Sequence, residues 1–214
     1  MTAVAKCESI SVLRDFMTAA VTKVTDLPPL DISTLHFTAE QFEQLCASNP
    51  DRSLELTAQG VLVVMAPVGG GSGKRELQLG AQLHNWNEET GLGEAFSSST
   101  IFKLPLGGQR SPDVAWVERS RWESLTLEEQ EKFPPLAPDF VIELRSRTDS
   151  LSDLQQKMVE YRENGVRLGW LINPPQRQVE VYRPGQDVEV LQAPMTLSGE
   201  DILPGFMMNL AKIW

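Results

Sequence analysis

A chain of 214 residues, 41% hydrophobic and 22% charged, is long enough for one well-cored domain and short for two. No run approaches the ~18 apolar residues that a membrane span requires. The net charge of −10 opposes general nucleic-acid binding, because the summed field repels a phosphate backbone, and two cysteines with two histidines supply neither a zinc spacing nor a disulfide framework.

The opening residues, MTAVAKCESISVLRDFMTAAV, lack an apolar stretch bounded by a basic flank and a small-residue cleavage site, which predicts a cytoplasmic protein without a signal peptide. Residues 1–30, ending in DLPPL, read as an arm with at most one short helix, and residues 31–214 as a single domain. Thr38 followed by Gln41 makes a capping box for a helix over AEQFEQLCAS. SLELTAQGVLVVMAP then reads as a hairpin with Glu55 in its first strand. The loop VGGGSG opens into KRELQLGAQLHNWNEET, where Leu77, Leu79, Leu83 and Trp86 roughly keep a helical stripe, and GLGEAFSSSTIFKLP returns as strand. The loop lacks a phosphate-loop spacing, since Val68 and Arg75 stand where a glycine and a Ser or Thr are needed. A flexible turn is expected there, although a helix start can hold an anion.

RSPDVAWVE is a short strand whose first residue after the proline is Asp113. SRWESLTLEEQEKF follows as a solvated helical insertion capped by Thr126 and Glu129. Then come strand FVIELRS, helix LSDLQQKMVEYRENG, strand LGWLIN, a turn at Asn173-Pro174-Pro175, and strands QVEVYRP and DVEVLQ. The order predicts a mixed α/β domain with a central sheet flanked by helices.

Glu143 interrupts the apolar run Phe140, Val141, Ile142, Leu144, where an ionised side chain is costly unless paired. It either meets water at the strand end or serves a metal. Asp139 and Glu143 share a strand and stand about 13 Å apart, too far to share an ion, so Asp139 is expected in water at the strand's start. Asp113, on a separate strand, lies beside Glu143 if the two strands pair. On the following helix Leu151, Leu154, Met158 and Tyr161 define the buried face. Lys157 stands about 80° from the centre of that stripe, where its ammonium reaches the sheet edge or snorkels into water. Ser152 and Gln155 are expected to cap the helix start. Lys74, Arg75, Lys103, Arg110, Arg145, Arg147 and Lys157 fall in or beside these segments and supply a local basic rim despite the acidic total.

The segments LELTAQGVLVVMAP, GGGSGKRELQLGAQL, RSPDVAWV, PDFVIELRS, KMVEYRENGVRLGWLINPPQRQVEVYRPG and LPGFMMNLAKIW, taken in order from Thr38 to Trp214, resemble the bacterial Uma-two-type family. That is a restriction-endonuclease family assigned to the PD-(D/E)XK nuclease superfamily. The resemblance implies a restriction-endonuclease-like α/β core and metal-dependent hydrolysis of phosphodiester bonds in DNA. Asp113 and Glu143 would hold Mg²⁺ or Mn²⁺, with the backbone carbonyl of Leu144 as a third ligand and Glu55 available to a second ion or its water. The catalytic lysine, moved from the strand to the next helix, would be Lys157. Arg145 occupies the strand position of the usual lysine; because arginine keeps its proton, it is expected to bind substrate phosphate. Arg147 replaces a proline expected after the ELRS segment. A homodimer is compatible with this reading. Two alternatives stay open: a catalytically inactive nuclease-fold module for binding or assembly, which the acidic charge and Arg145 both permit, and a small-molecule phosphate binder using residues 69–74.

Overall fold

The protein is described here by a computed structural model over residues 35–214; the arm read over residues 1–30 lies outside the described residues. Thr38 Oγ1 accepts from the Gln41 N–H at 3.3 Å and Gln41 Oε1 accepts from the Thr38 N–H at 2.9 Å, so the expected capping box opens α1 (Ala39–Ser48). The hairpin forms as β1 (Leu54–Leu56) and β2 (Leu62–Val64), with Glu55 opposite Val63.

Helix α2 (Gly70–Thr90) begins four residues before Lys74, where the expected helical segment opened, taking the glycines into its first turn. Its buried positions are Leu79, Leu83 and Asn87, while Leu77 is 70% exposed. The four-residue step of one face wins over the looser stripe that included Leu77. Asn87 tolerates burial because its Oδ1 accepts from Trp116 Nε1 at 2.8 Å.

Next come β3 (Gly93–Ser97), β4 (Phe102–Lys103), β5 (Gln109–Arg110) and β6 (Val114–Glu118). The polar insertion carries two short helices, α3 (Arg119–Glu123) and α4 (Leu127–Glu131), the second opened by the expected Thr126–Glu129 capping box. The chain continues as β7 (Phe140–Leu144), α5 (Leu151–Glu163), β8 (Leu168–Asn173), β9 (Gln178–Tyr182) and β10 (Glu189–Gln192). A closing ribbon, β11 (Thr196–Ser198) with β12 (Met207–Asn209), packs on α2 through a pair of hydrogen bonds between Gln82 and Asn209.

A six-stranded sheet runs β10-β9-β8-β7-β6-β3, mixed because β7 and β8 are parallel across α5 while the other pairs are antiparallel. A second sheet runs β2-β1-β5-β4. Side chains alternate between the faces of the large sheet. Val114, Trp116, Phe140 and Ile142 pack with Leu79 and Leu83 of α2, whereas Ala115, Val117 and Val141 pack with Met158 and Tyr161 of α5. Odd-numbered positions of β6 and β7 therefore look toward α5, and both Asp113 and Glu143 are odd. Gly169 on β8 lets that helix settle closely: a Cβ there would stand 2.6 Å from Met158 Cε and 3.4 Å from Val141 Cγ2. Among the described residues no helix is long and apolar enough to cross a membrane.

One expectation fails at the other end of β7. Asp139, read as a strand residue in water, is fully buried: it pairs with Arg121 at 2.8 Å and Arg167 at 3.3 Å and accepts from the Glu118 N–H at 2.9 Å. Its partners come from α3, β6 and the start of β8, so nothing in the local sequence announced them. Asp139→Ala should lower stability by about 1–3 kcal/mol, the cost of taking a buried acceptor from the Glu118 N–H and from two partly exposed arginines, measured by urea unfolding. Divalent-ion binding should be unchanged in the folded variant.

Candidate active site

The antiparallel pairing of β6 with β7 sets Val114 opposite Ile142, and one further step of the register brings Asp113 beside Glu143. Asp113 is partly buried and its Oδ2 accepts from the Leu144 N–H at 2.6 Å, which ties the two strand ends together. Glu143 is 2% exposed; its Oε1 accepts from the Tyr161 hydroxyl at 3.0 Å and lies 2.8 Å from Lys157 Nζ.

Lys157 is not a snorkelling surface residue. It is 6% exposed, its ammonium lies 2.8 Å from both Glu143 Oε1 and Glu55 Oε1, and it donates to the Ser111 carbonyl at 3.2 Å. The helix that carries it is capped by Ser150, whose hydroxyl accepts from the Asp153 N–H, and not by Ser152 and Gln155. Gln155 instead donates to Glu180 at 2.7 Å, and Tyr182 donates to the other oxygen of that carboxylate at 2.6 Å.

Glu55 enters from the smaller sheet, and both its oxygens meet protein donors. Its Oε1 accepts from the Ser111 N–H at 2.9 Å and pairs with Lys157, while its Oε2 accepts from Arg110 Nη1 at 3.1 Å. Arg110, itself buried, turns its Nε to Glu160 Oε2 at 3.0 Å. Protein donors therefore meet both oxygens of the carboxylate that was expected to be available to a second ion or its water. Among the described residues no three side chains of His, Cys, Asp and Glu form a metal-holding group, because Lys157 stands between Glu55 and Glu143.

Asp113 and Glu143 differ from Glu55 in charge compensation. Burial raises the Asp113 pKa well above the usual aspartate range and the neighbouring Glu143 raises it further, against the opposing effects of Lys157 and the Leu144 N–H. Burial also raises Glu143, partly offset by Lys157. For Glu55, burial acts upward but Lys157 and Arg110 prevail, and its pKa falls below the ordinary value. When all are ionised, the contacting acids Glu55, Asp113, Glu143 and Glu160 outnumber the cations Lys157 and Arg110, a local excess of negative charge that favours a cation. Asp113 Oδ1 and Glu143 Oε2 accept no hydrogen bond from the described residues, leaving each acid an oxygen for a cation. A hard divalent ion fits this donor pair, and Leu144 lines the same groove.

Lys157, which the resemblance implies is the catalytic lysine, sits among three carboxylates. Burial alone would lower its pKa, but Glu143, Glu55 and Asp113 together hold it above the ordinary lysine value. The charged form is the one these neighbours favour.

An open groove of about 1920 Å³ passes over these groups, from Val63 and Met65 beside β2 to Glu180 and Val190 on β9 and β10. The anticipated basic rim is thinner than the sequence suggested. Lys103 pairs with Glu43 at 2.7 Å, and Arg75 donates to the Ile213 carbonyl at 2.6 Å. Arg145, the expected phosphate binder, does not reach the carboxylates: its Nε donates to the Asp149 carbonyl at 3.2 Å and its Nη1 to Asn173 Oδ1 at 3.3 Å. Arg147 lines the groove, exposed and without a hydrogen bond or ion pair to the described residues.

Sequence reading missed the structural roles of Arg110, Ser111, Glu160 and Tyr161. Two signals could have found them: Glu160 and Tyr161 follow Lys157 by three and four residues, hence on one helix face, and Arg110 with Ser111 immediately precedes the Pro-Asp pair.

Residues 39–211 match the family model described as "Putative restriction endonuclease", Uma2. No curated protein matches the chain. A solved structure titled as "a putative nuclease belonging to DUF820" from Anabaena variabilis ATCC 29413 is similar at 20% identity and a TM-score of 0.70, covering 83% of this chain and 97% of that one. At that identity the likeness carries the fold.

Ionised Asp113 is a liability in the metal-free protein. Because its folded pKa is raised, stability is greatest below the ordinary aspartate range and declines as pH rises through the folded value. Asp113→Asn keeps an acceptor for the Leu144 N–H and removes the charge. In EDTA at neutral pH it should melt several degrees above wild type, and the gap should close as pH is lowered below the aspartate range. Added Mn²⁺ should raise the wild-type melting temperature and leave the variant's unchanged.

Proposed function

Because the chain belongs to the Uma2 family, whose model spans residues 39–211, we propose that it is a divalent-metal-dependent nuclease that hydrolyses phosphodiester bonds in DNA. The observation that carries this reading is the pairing of two undercompensated carboxylates, Asp113 and Glu143, on adjacent strand ends with the ammonium of Lys157 2.8 Å from one of them. In this reading Asp113, Glu143 and the Leu144 carbonyl would hold Mg²⁺ or Mn²⁺, which would supply water activation and neutralise charge at the phosphate.

The chain's own residues supply the rest. Lys157, kept charged by its carboxylates, stabilises negative charge as it develops on the phosphoryl oxygens. Tyr161 donates to Glu143 Oε1 and directs that carboxylate, leaving Oε2 open. Arg147 is the groove cation available to a substrate phosphate, while Arg145 fixes the turn between β7 and α5 that presents it. A non-catalytic binding module remains the competing reading, favoured by the groove itself, where Asp149, Asp153, Glu163 and Glu180 face few free cations.

Cleavage of linear, supercoiled and single-stranded DNA with Mn²⁺, against an EDTA control, separates the two; intact wild-type DNA in every case would leave the binding module. Lys157→Met, which keeps the stem but not the charge, should retain Mn²⁺ binding by calorimetry and lower single-turnover cleavage by about 10²-fold. Activity should also fall steeply between low and high salt, since so few groove cations oppose the acidic walls. Cleavage indifferent to salt would contradict that electrostatic picture.

A further inference from the structure

A carboxylate that serves a metal competes for it with its protein donors, and donors meet both oxygens of Glu55. Ser111 N–H and Lys157 share Oε1 at 2.9 and 2.8 Å, and Arg110 Nη1 meets Oε2 at 3.1 Å. Behind Glu55 the charges alternate: Arg110 turns to Glu160, which lies three residues past Lys157 on α5. The run from Glu143 through Lys157, Glu55 and Arg110 to Glu160 thus begins on the large sheet, crosses to the small one and returns to the same helix.

We propose that Glu55 is a positioning residue, held by Arg110 and Glu160, that fixes the Lys157 ammonium beside Glu143, and that it ligates no metal ion. Its consequence for cleavage rests on the nuclease reading; its role as counter-charge does not. Lys157 has a four-carbon stem beside an open groove, and Glu143 alone would leave that stem free to swing outward. A second carboxylate on the opposite side, with the Ser111 carbonyl as a third acceptor, defines one place for the ammonium. The small sheet is built to bring that carboxylate close. Gly108, with φ +88°, precedes β5 where any Cβ would collide with Glu160 Oε1, so strand and helix meet without an intervening side chain. Burial opposes the charge on Lys157, and Glu55 is one of the three carboxylates that outweigh it.

Glu55→Gln retains an acceptor for Ser111 and tests the inference in three readouts. Mn²⁺ stoichiometry by calorimetry should equal that of wild type; loss of one bound ion would overturn the proposal and make Glu55 a ligand. In single-turnover cleavage at saturating enzyme, Glu55→Gln should lower the rate about 10-fold without changing the enzyme concentration for half-saturation, and should have less than about a 2-fold effect when added to Lys157→Met. A full 10-fold loss in that background would show that Glu55 acts independently of Lys157. In thermal melts with EDTA, Glu55→Gln with Lys157→Met should be more stable than the sum of the single losses predicts, since both charges leave together; simple additivity would overturn the coupling. Should wild type cleave no nucleic acid, the nuclease reading fails, and stoichiometry and melts still decide the role of Glu55. Should Glu55→Gln alone not fold, the double variant decides: recovery of the fold supports the counter-charge role, and failure to recover it overturns that role.

Discussion

One ammonium ion, that of Lys157, lies between two buried carboxylates, and the arrangement of the domain follows from that placement. Glu143 belongs to the large sheet, Glu55 to the small sheet and Lys157 to the helix between β7 and β8. None of the three tolerates burial alone: an isolated ion in the interior is expensive, and removing one partner of a buried pair typically costs about 3–5 kcal/mol. Together they oblige two sheets and a helix to meet at one point. Hydrophobic packing also joins the small sheet to α5, since Phe102 of β4 shares a buried cluster with Met158 and Tyr161, and this ionic contact fixes the charged groups beside it.

The stretch Arg110-Ser111-Pro112-Asp113 shows how little chain is needed to join the parts. Arg110 ends β5 and binds Glu55 and Glu160. Ser111 gives its N–H to Glu55 and its carbonyl to Lys157, while its hydroxyl donates to the Ser98 and Thr100 carbonyls. The proline biases Ser111 toward an extended backbone, and Asp113 then enters beside Glu143 just as β6 begins. Four consecutive residues thus link the small sheet, the helix and the large sheet without a long loop.

Electrostatics divides the acids of the site into two kinds. Glu55 is surrounded by cations and donors, and its ionised form is favoured. Asp113 and Glu143 carry a residual penalty that their protein neighbours do not remove. A fold that retains such a penalty is less stable than it could be, and functional sites are where such penalties are commonly kept. The acidic groove adds a constraint: approach of a polyanion is opposed over most of the surface, so a bound dication would change local charge as well as chemistry.

Local periodicity determined much of this protein. The short apolar runs of β6 and β7, the capping boxes at Thr38 and Thr126, and the three- and four-residue spacing of α5 are properties of neighbouring residues, so they were legible without a fold. They were enough to set Asp113 and Glu143 on candidate strands and Lys157 at the margin of a buried face. What local pattern could not determine was which distant group met each charge. Asp139 and Glu143 read alike, as acids on one strand, yet one is closed by two arginines from elsewhere and the other faces a lysine and a tyrosine. Arg145 has the spacing for the site, but the turn after β7 directs its guanidinium to Asp149 and Asn173. Spacing along a strand fixes a face; the partner on that face is fixed only when separate segments pack, because an ion pair depends on distances in space between residues far apart in sequence.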